Sequence, residues 1–220
     1  MTNSLAALEP KFMKFLATHK PRIILGTRSS SRQLLMRQLM QGYAYETRTA
    51  DIDEKAIRCE KPEDLVMALA HAKAEAIKGK MAAAGEDYKT GYLLTCDQVV
   101  THDGCILEKP ESEEEARRWL QGYGRTPPGT VGSIVITNLG TGAKFQELDI
   151  TRILFKPIPE AVIDQIIKGG DWADCAGGLR IEQPILEPYI SGIEGSEDSV
   201  MGLSKVLTAR LLMQAAGVPI

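Results

Sequence analysis

Gly91-Tyr92-Leu93-Leu94-Thr95-Cys96-Asp97-Gln98-Val99-Val100-Thr101-His102-Asp103-Gly104-Cys105-Ile106-Leu107 is the stretch that decides the fold class. Residues 91–95 read as a buried strand that leads straight into residues 96–100, so that an apolar run ends in the carboxylate of Asp97. Asp103-Gly104 is a strong hairpin signal, because the tight turn that matches strand twist needs positive φ at both central positions. Residues 98–101 and 105–107 are therefore expected to pair. A second hairpin is expected where residues 130–138 and 144–154 flank Gly140-Thr141-Gly142. Two hairpins set among helices imply a mixed β-sheet in an α/β fold, not a purely parallel sheet.

Outward from this stretch, strands and helices alternate. Residues 22–25 form a short β-run that stops at Gly26, and a helical pattern built on Leu34, Leu35, Gln38 and Leu39 follows. Residues 43–52 read as another strand. Pro62-Glu63-Asp64 opens a helix with proline and acids in its first turn, and Leu65, Leu69, Ala72, Ala76 and Ile77 share one face. Ser112 followed by three glutamates starts the next helix. Residues 159–168 read as a helix ending at Gly169-Gly170, and residues 204–216 as the last one. Leu5, Leu8, Phe12, Phe15 and Leu16 predict a short amphipathic helix near the N-terminus.

The chain has 220 residues, of which 44% are hydrophobic, 25% charged and 5% aromatic. This composition excludes disordered and low-complexity classes, and the length suits one large domain or two small lobes. Against 29 acidic residues stand 26 basic ones, so the broad positive field that holds a nucleic-acid polymer is absent. Cys59, Cys96, Cys105 and Cys175 form no CxxC pair and lie at no zinc-ligand spacing from histidine, which predicts free thiols and a cytoplasmic protein. The N-terminal stretch lacks a signal-peptide pattern. No apolar run approaches the ~20 residues that span a bilayer, so no membrane partner is expected.

Four clusters carry chemistry. Gly26-Thr27-Arg28-Ser29-Ser30-Ser31-Arg32, between a strand and a helix, offers backbone N–H groups, hydroxyls and two guanidiniums to an anion; it reads equally as a serine-rich helix cap. Asp97 could bind a divalent cation, orient a water or simply cap a turn. Lys109, fixed by Pro110, suits a phosphate contact, although exposed Lys-Pro pairs are ordinary. Ala173-Asp174-Cys175-Ala176-Gly177-Gly178-Leu179-Arg180-Ile181-Glu182 has glycines that allow close approach to a ligand, or forms a plain surface loop. His19, His71 and His102 are scattered, and no Ser-His-Asp or Cys-His arrangement stands out.

In this order and spacing the clusters resemble the Maf family of nucleoside triphosphate pyrophosphatases, from about Ile23 to Leu212. The family's opening motif, roughly [IL]LAS-x-S-P-R-R-x-x-LL, corresponds to Ile24-Leu25-Gly26-Thr27-Arg28-Ser29-Ser30-Ser31-Arg32, with Ser30 and Ser31 in place of the proline and first arginine. The family's acidic segment is represented by Asp51-Ile52-Asp53-Glu54, its A-x-x-K-A by Ala70-His71-Ala72-Lys73-Ala74, and its G-[AS]-D-[TQ]-V by Thr95-Cys96-Asp97-Gln98-Val99. Its G-K-P matches Glu108-Lys109-Pro110, and its V-x-G-L-P is close to Val200-Met201-Gly202-Leu203-Ser204. The resemblance implies a single domain over residues 22–220 behind an N-terminal extension, residues 1–21. It also implies an elongated two-lobed mixed-sheet structure with a central cleft.

The activity so implied is hydrolysis between the α- and β-phosphates of a nucleoside triphosphate, with Mg²⁺ or Mn²⁺ as cofactor. Attack on a polyanion needs charge neutralisation more than a strong protein nucleophile. Lys73, Lys109 and Arg32, with Thr27 and the backbone at Ser29–Ser31, would hold phosphates. Asp97, together with Asp51 or Glu54, would hold the metal by hard oxygen ligands. Asp97 matches the family's proton acceptor and can serve as base, ligand or both. Base choice follows Ser31, Gln98 and Glu182, of which Gln98 and Glu182 look like the branch acting on 7-methylguanosine triphosphate. Pyrimidine triphosphates, or a non-catalytic nucleotide-binding regulator, are the alternatives. As family members often dimerise, the resemblance allows a homodimer.

Overall fold

The computed structural model describes residues 5–220, so the first four residues of the expected N-terminal extension lie outside the described part. Seven helices and seven strands follow in the order α1 (Leu5–His19), β1 (Ile23–Gly26), α2 (Ser30–Met40), β2 (Glu46–Arg48), α3 (Pro62–Ala83), β3 (Tyr92–His102), β4 (Cys105–Leu107), α4 (Glu113–Tyr123), β5 (Gly129–Asn138), β6 (Lys144–Phe155), α5 (Glu160–Gly169), β7 (Ile190–Glu194), α6 (Glu197–Val200) and α7 (Lys205–Ala215). The sheet runs β2-β1-β3-β5-β6-β7, with β4 paired to β3. β1 is parallel to β2 and β3, whereas the β3–β4 and β6–β7 pairs are antiparallel, so the sheet is mixed as expected. Among the described residues no helix is long and apolar enough to cross a membrane.

The chain forms two compact units. The first holds the residues up to Asp97, Gly132–Leu148 and Gly202–Ile220. In it α1 buries Leu8, Phe12, Phe15 and Leu16, the face read from the sequence, and packs on α7. All four residues of β1 are buried. A Cβ at Gly26 would lie 2.6 Å from Ile77 Cδ1 and 2.8 Å from Thr95 Cγ2. A larger residue there would make the Ile77 and Thr95 side chains shift, so glycine suits the close packing of α3 on β1. Ile24, Ala74, Ile77, Met81, Leu93 and Leu139 close the core there, each large aliphatic side chain contributing about 1.5–3 kcal/mol of transfer energy.

The second unit holds Gln98–Val131 and Asp149–Met201. Its core is built from Leu120, Tyr123, Phe155, Ile158, Ile163 and Leu186, where α4 meets α5. The β3–β4 turn has φ of 49° at Asp103 and 76° at Gly104, the left-handed pair that the dipeptide predicts. His102 pairs with Cys105 across it.

Three sequence expectations need correction. The strand expected over residues 43–52 is only Glu46–Arg48, a charged edge strand whose Glu46 is paired to Arg22 and whose Arg48 is paired to Glu86. Asp97 does not end an apolar strand. β3 continues to His102, because its far half finds hydrogen-bonding partners in β4. The buried face of α2 is Leu35, Met36, Leu39 and Met40, while Leu34 is exposed. β7 and α6 carry no local sequence signal that sets them apart from loop.

Candidate active site

Two of the expected catalytic residues, Lys73 and Asp97, meet between α3 and β3 in the first unit. Lys73 lies on the buried face of α3, in line with Ala70, Ala74 and Ile77. An ammonium in that position needs a partner, and Asp97 supplies it: Lys73 Nζ donates to Asp97 Oδ1 at 2.5 Å, with both side chains about nine-tenths buried. Glu54 Oε1 stands 3.0 Å from the same nitrogen. Burial pushes the Asp97 carboxyl above the ordinary aspartate range, and the negative charge of Glu54 adds to this. The charges of Lys73 and Arg32 oppose it. The result is a desolvated carboxylate, costly to keep charged, that is held in place by cations.

Arg32 is fixed by its Nε–H, which donates to the Gly202 carbonyl at 3.0 Å. Arg32 also closes the cap of α2, since its backbone N–H donates to Ser29 Oγ at 3.3 Å. The Thr27 hydroxyl accepts from Ser29 N at 3.1 Å. The cap reading of the serine-rich segment is what the geometry shows: Ser29 caps an eleven-residue helix whose first turn carries Arg32.

The acidic segment is divided by local geometry. Asp53 caps the short turn Glu54–Ala56 through Lys55 N at 3.1 Å, which delivers Glu54 to Lys73. Asp51 adopts a left-handed backbone with φ of 52°. Its carboxylate takes hydrogen bonds from Lys80 and Thr49, with Arg28 at 3.7 Å. The Lys80 bond, above all, holds that carboxyl below the usual range. Among the described residues no group of three or more His, Cys, Asp or Glu side chains is placed to hold a metal ion. Asp97 and Glu54, converging on one ammonium, do fit a hard divalent cation of the magnesium kind. Such an ion commonly takes one or two carboxylates and completes its shell with water and substrate phosphates.

Of the remaining expected residues, Ser31 is half-buried in the first turn of α2, in the first unit, whereas Gln98, Lys109 and Glu182 lie in the second. Gln98 Nε2 donates to the carbonyls of Ser199 at 3.0 Å and Val200 at 3.2 Å, so its amide nitrogen is engaged. Lys109 is exposed, with Nζ 3.7 Å from Asp174 Oδ1. Glu182 is exposed on the chain that leaves the Ala176–Gly178 turn. That turn is bound from two sides: Tyr123 OH donates to Gly177 O at 2.6 Å, and Gly177 N donates to Glu108 O at 3.0 Å. Nothing local in the sequence flags Tyr123, a buried residue at the end of α4 whose partner lies 54 positions away.

A buried ammonium–carboxylate pair, with a second carboxylate against the same nitrogen, is thus held between α3, β3 and the Glu54–Ala56 turn. The family model for Maf-like proteins matches residues 22–215. A Dictyostelium discoideum protein named 7-methyl-GTP pyrophosphatase is 36% identical over 200 residues, covering 90% of this chain and 99% of that one. A dTTP/UTP pyrophosphatase of Anaeromyxobacter dehalogenans is 30% identical, covering 89% and 94%. A nucleoside triphosphate pyrophosphatase of Streptomyces coelicolor is 31% identical, covering 87% and 89%. The chain belongs to the Maf family, and it is a hydrolase.

Proposed function

We propose that this enzyme is a metal-dependent nucleoside triphosphate pyrophosphatase that acts on 7-methyl-GTP or a similarly modified nucleotide in the cytosol. Water cleaves the anhydride between the α- and β-phosphates, giving the nucleoside monophosphate and pyrophosphate. Lys73 and Arg32 neutralise phosphate charge as it builds in the transition state, and Lys109 holds a phosphate equally in the ground and transition states. Asp97 accepts the proton of the attacking water, a role suited to a carboxylate whose affinity for protons is raised by burial. A bound divalent ion, held by Asp97 and Glu54, would polarise phosphate oxygens. The observation that carries this reading is the buried Lys73–Asp97 pair with Glu54 against the same nitrogen.

For the base, an exposed carboxylate at Glu182 can accept from the N1–H and exocyclic amine of a guanine edge and favours a cationic methylated ring. It would not suit the carbonyl acceptors of thymine. The likeness to the Dictyostelium discoideum relative favours the same choice. A panel of 7-methyl-GTP, GTP, dTTP, UTP and CTP, scored for released pyrophosphate with Mg²⁺ or Mn²⁺, tests both levels. The expected result is fastest turnover of 7-methyl-GTP. Faster hydrolysis of the pyrimidine nucleotides overturns the base assignment. Release of orthophosphate, or tight binding without turnover, overturns the pyrophosphatase reading.

A further inference from the structure

Tyr123 is among the most deeply buried side chains of the molecule, and its ring is locked. It stacks on Phe155 with centroids 6.0 Å apart and meets the edge of His102 at 5.1 Å. The hydroxyl therefore has one direction in which to point, and it donates to Gly177 O at 2.6 Å. Burial pushes the phenol well above its ordinary range, so it remains a donor at any working pH.

Gly177 is fitted to that hydroxyl. Its φ is 71°, and a Cβ there would lie 2.9 Å from both Tyr123 OH and Val100 Cγ1. On its other side Gly177 N donates to Glu108 O at 3.0 Å. Glu108 immediately precedes Lys109, whose backbone Pro110 confines to extended conformations. Downstream, Leu179 and Ile181 pack against the same apolar cluster as Tyr123, and Arg180 Nε donates to Cys175 Sγ at 3.0 Å. Glu182 follows directly.

We propose that Tyr123 is a positioning residue for substrate recognition: through Gly177 its hydroxyl fixes both the Glu108–Pro110 segment that carries Lys109 and the turn that leads to Glu182. The inference rests on the pyrophosphatase reading and adds to it the element that aligns the recognition residues. Tyr123 does not touch substrate. Its loss is felt as looser alignment of an exposed ammonium and an exposed carboxylate.

Tyr123→Phe keeps the ring between Phe155 and His102 and deletes only the donor. The expected outcome is a KM for 7-methyl-GTP raised about five- to tenfold with kcat within about twofold, the pattern of lost uniform binding. The preference for 7-methyl-GTP over dTTP in kcat/KM falls by about threefold or more, because Glu182 is no longer aligned. Gly177→Ala, which crowds the same hydroxyl, moves KM in the same direction. Dissociation constants for both nucleotides, measured by titration calorimetry in EDTA, give the same comparison without turnover. A variant that loses melting temperature but keeps KM, dissociation constants and base preference shows a purely structural role and overturns this proposal alone. Wild-type protein that neither binds nor hydrolyses any nucleoside triphosphate overturns the pyrophosphatase reading and this inference with it.

Discussion

Lys73 and Lys109 carry the same ammonium and are proposed to serve the same class of ligand, yet the chain holds them in opposite ways. Lys73 is about one-tenth exposed, on a 22-residue helix, with two carboxylates at 2.5 and 3.0 Å. Lys109 is 63% exposed beside a proline, with one carboxylate at 3.7 Å that is itself 79% exposed. The first arrangement keeps charges rigid in a desolvated place, where electrostatic interactions are strong. The second keeps a charge in water, where it can meet a ligand at little cost. On the proposed function, the contrast separates a region suited to chemistry from one suited to recognition.

Breaking the buried arrangement should have the larger effect. Lys73→Met leaves Asp97 and Glu54 side by side without their cation, and removal of one partner from a buried pair typically costs about 3–5 kcal/mol. Chemical denaturation should show that loss, and turnover should disappear. A variant of unchanged stability and activity would mean that the pair is incidental. Lys109→Ala, by contrast, should leave the denaturation midpoint nearly unchanged, because an exposed pair contributes about 0–1 kcal/mol. Its cost should appear in steady-state kinetics as a KM for triphosphate raised about tenfold. If Lys109→Ala unfolds the protein instead, the division drawn here fails.

Glu182→Gln is a finer test of the recognition side. The amide can pair with donors and acceptors alike, so the advantage of 7-methyl-GTP over dTTP in kcat/KM should shrink by about tenfold at similar melting temperature. An unchanged ratio would remove Glu182 from base choice. The smallest expected effect is one of pH. The proposed base, Asp97, must be ionised to act, and burial raises its pKa, so the acid limb of kcat/KM should lie above the ordinary aspartate value of about 3.9. The sign for stability is the reverse of a salt-bridged surface acid. The folded chain holds this proton more tightly than the unfolded one, so the group's contribution to stability falls as pH rises through that range. An acid limb at or below the ordinary value would contradict the burial argument.

The parts of the fold legible in the sequence are those with local causes. Ser29 and Ser112 cap helices through their own neighbours, Asp103-Gly104 sets its own turn, and the apolar spacing of α1 marks its buried face. Of the face expected for α3, only Leu65, Leu69 and Ile77 are buried, whereas Ala72 and Ala76 are half-buried. The site is different in kind. Lys73 breaks the apolar pattern of α3, and its burial becomes intelligible only with Asp97, 24 residues away, in place. The roles of Asp51 and Glu54 look interchangeable in a linear acidic run. A left-handed residue at Asp51 and a cap at Asp53 send one carboxylate to Lys80 and the other to Lys73. The family resemblance pointed to Lys73, Glu54 and Asp97, whereas no local signal marks Tyr123 or the engagement of the Gln98 amide with Ser199 and Val200.

The central claim is that the Asp97 carboxylate, buried against Lys73, carries the proton-transfer step. Asp97→Asn preserves the side chain's size and its acceptor oxygen towards Lys73 and removes only the basic oxygen. Turnover of 7-methyl-GTP by this variant, followed as pyrophosphate release with saturating metal and with folding checked by melting temperature, is the most direct measurement. A folded variant slowed by about 10²–10⁴-fold is the predicted result, the range expected when a general base is lost. A folded variant that turns over within about tenfold of wild type would contradict the claim.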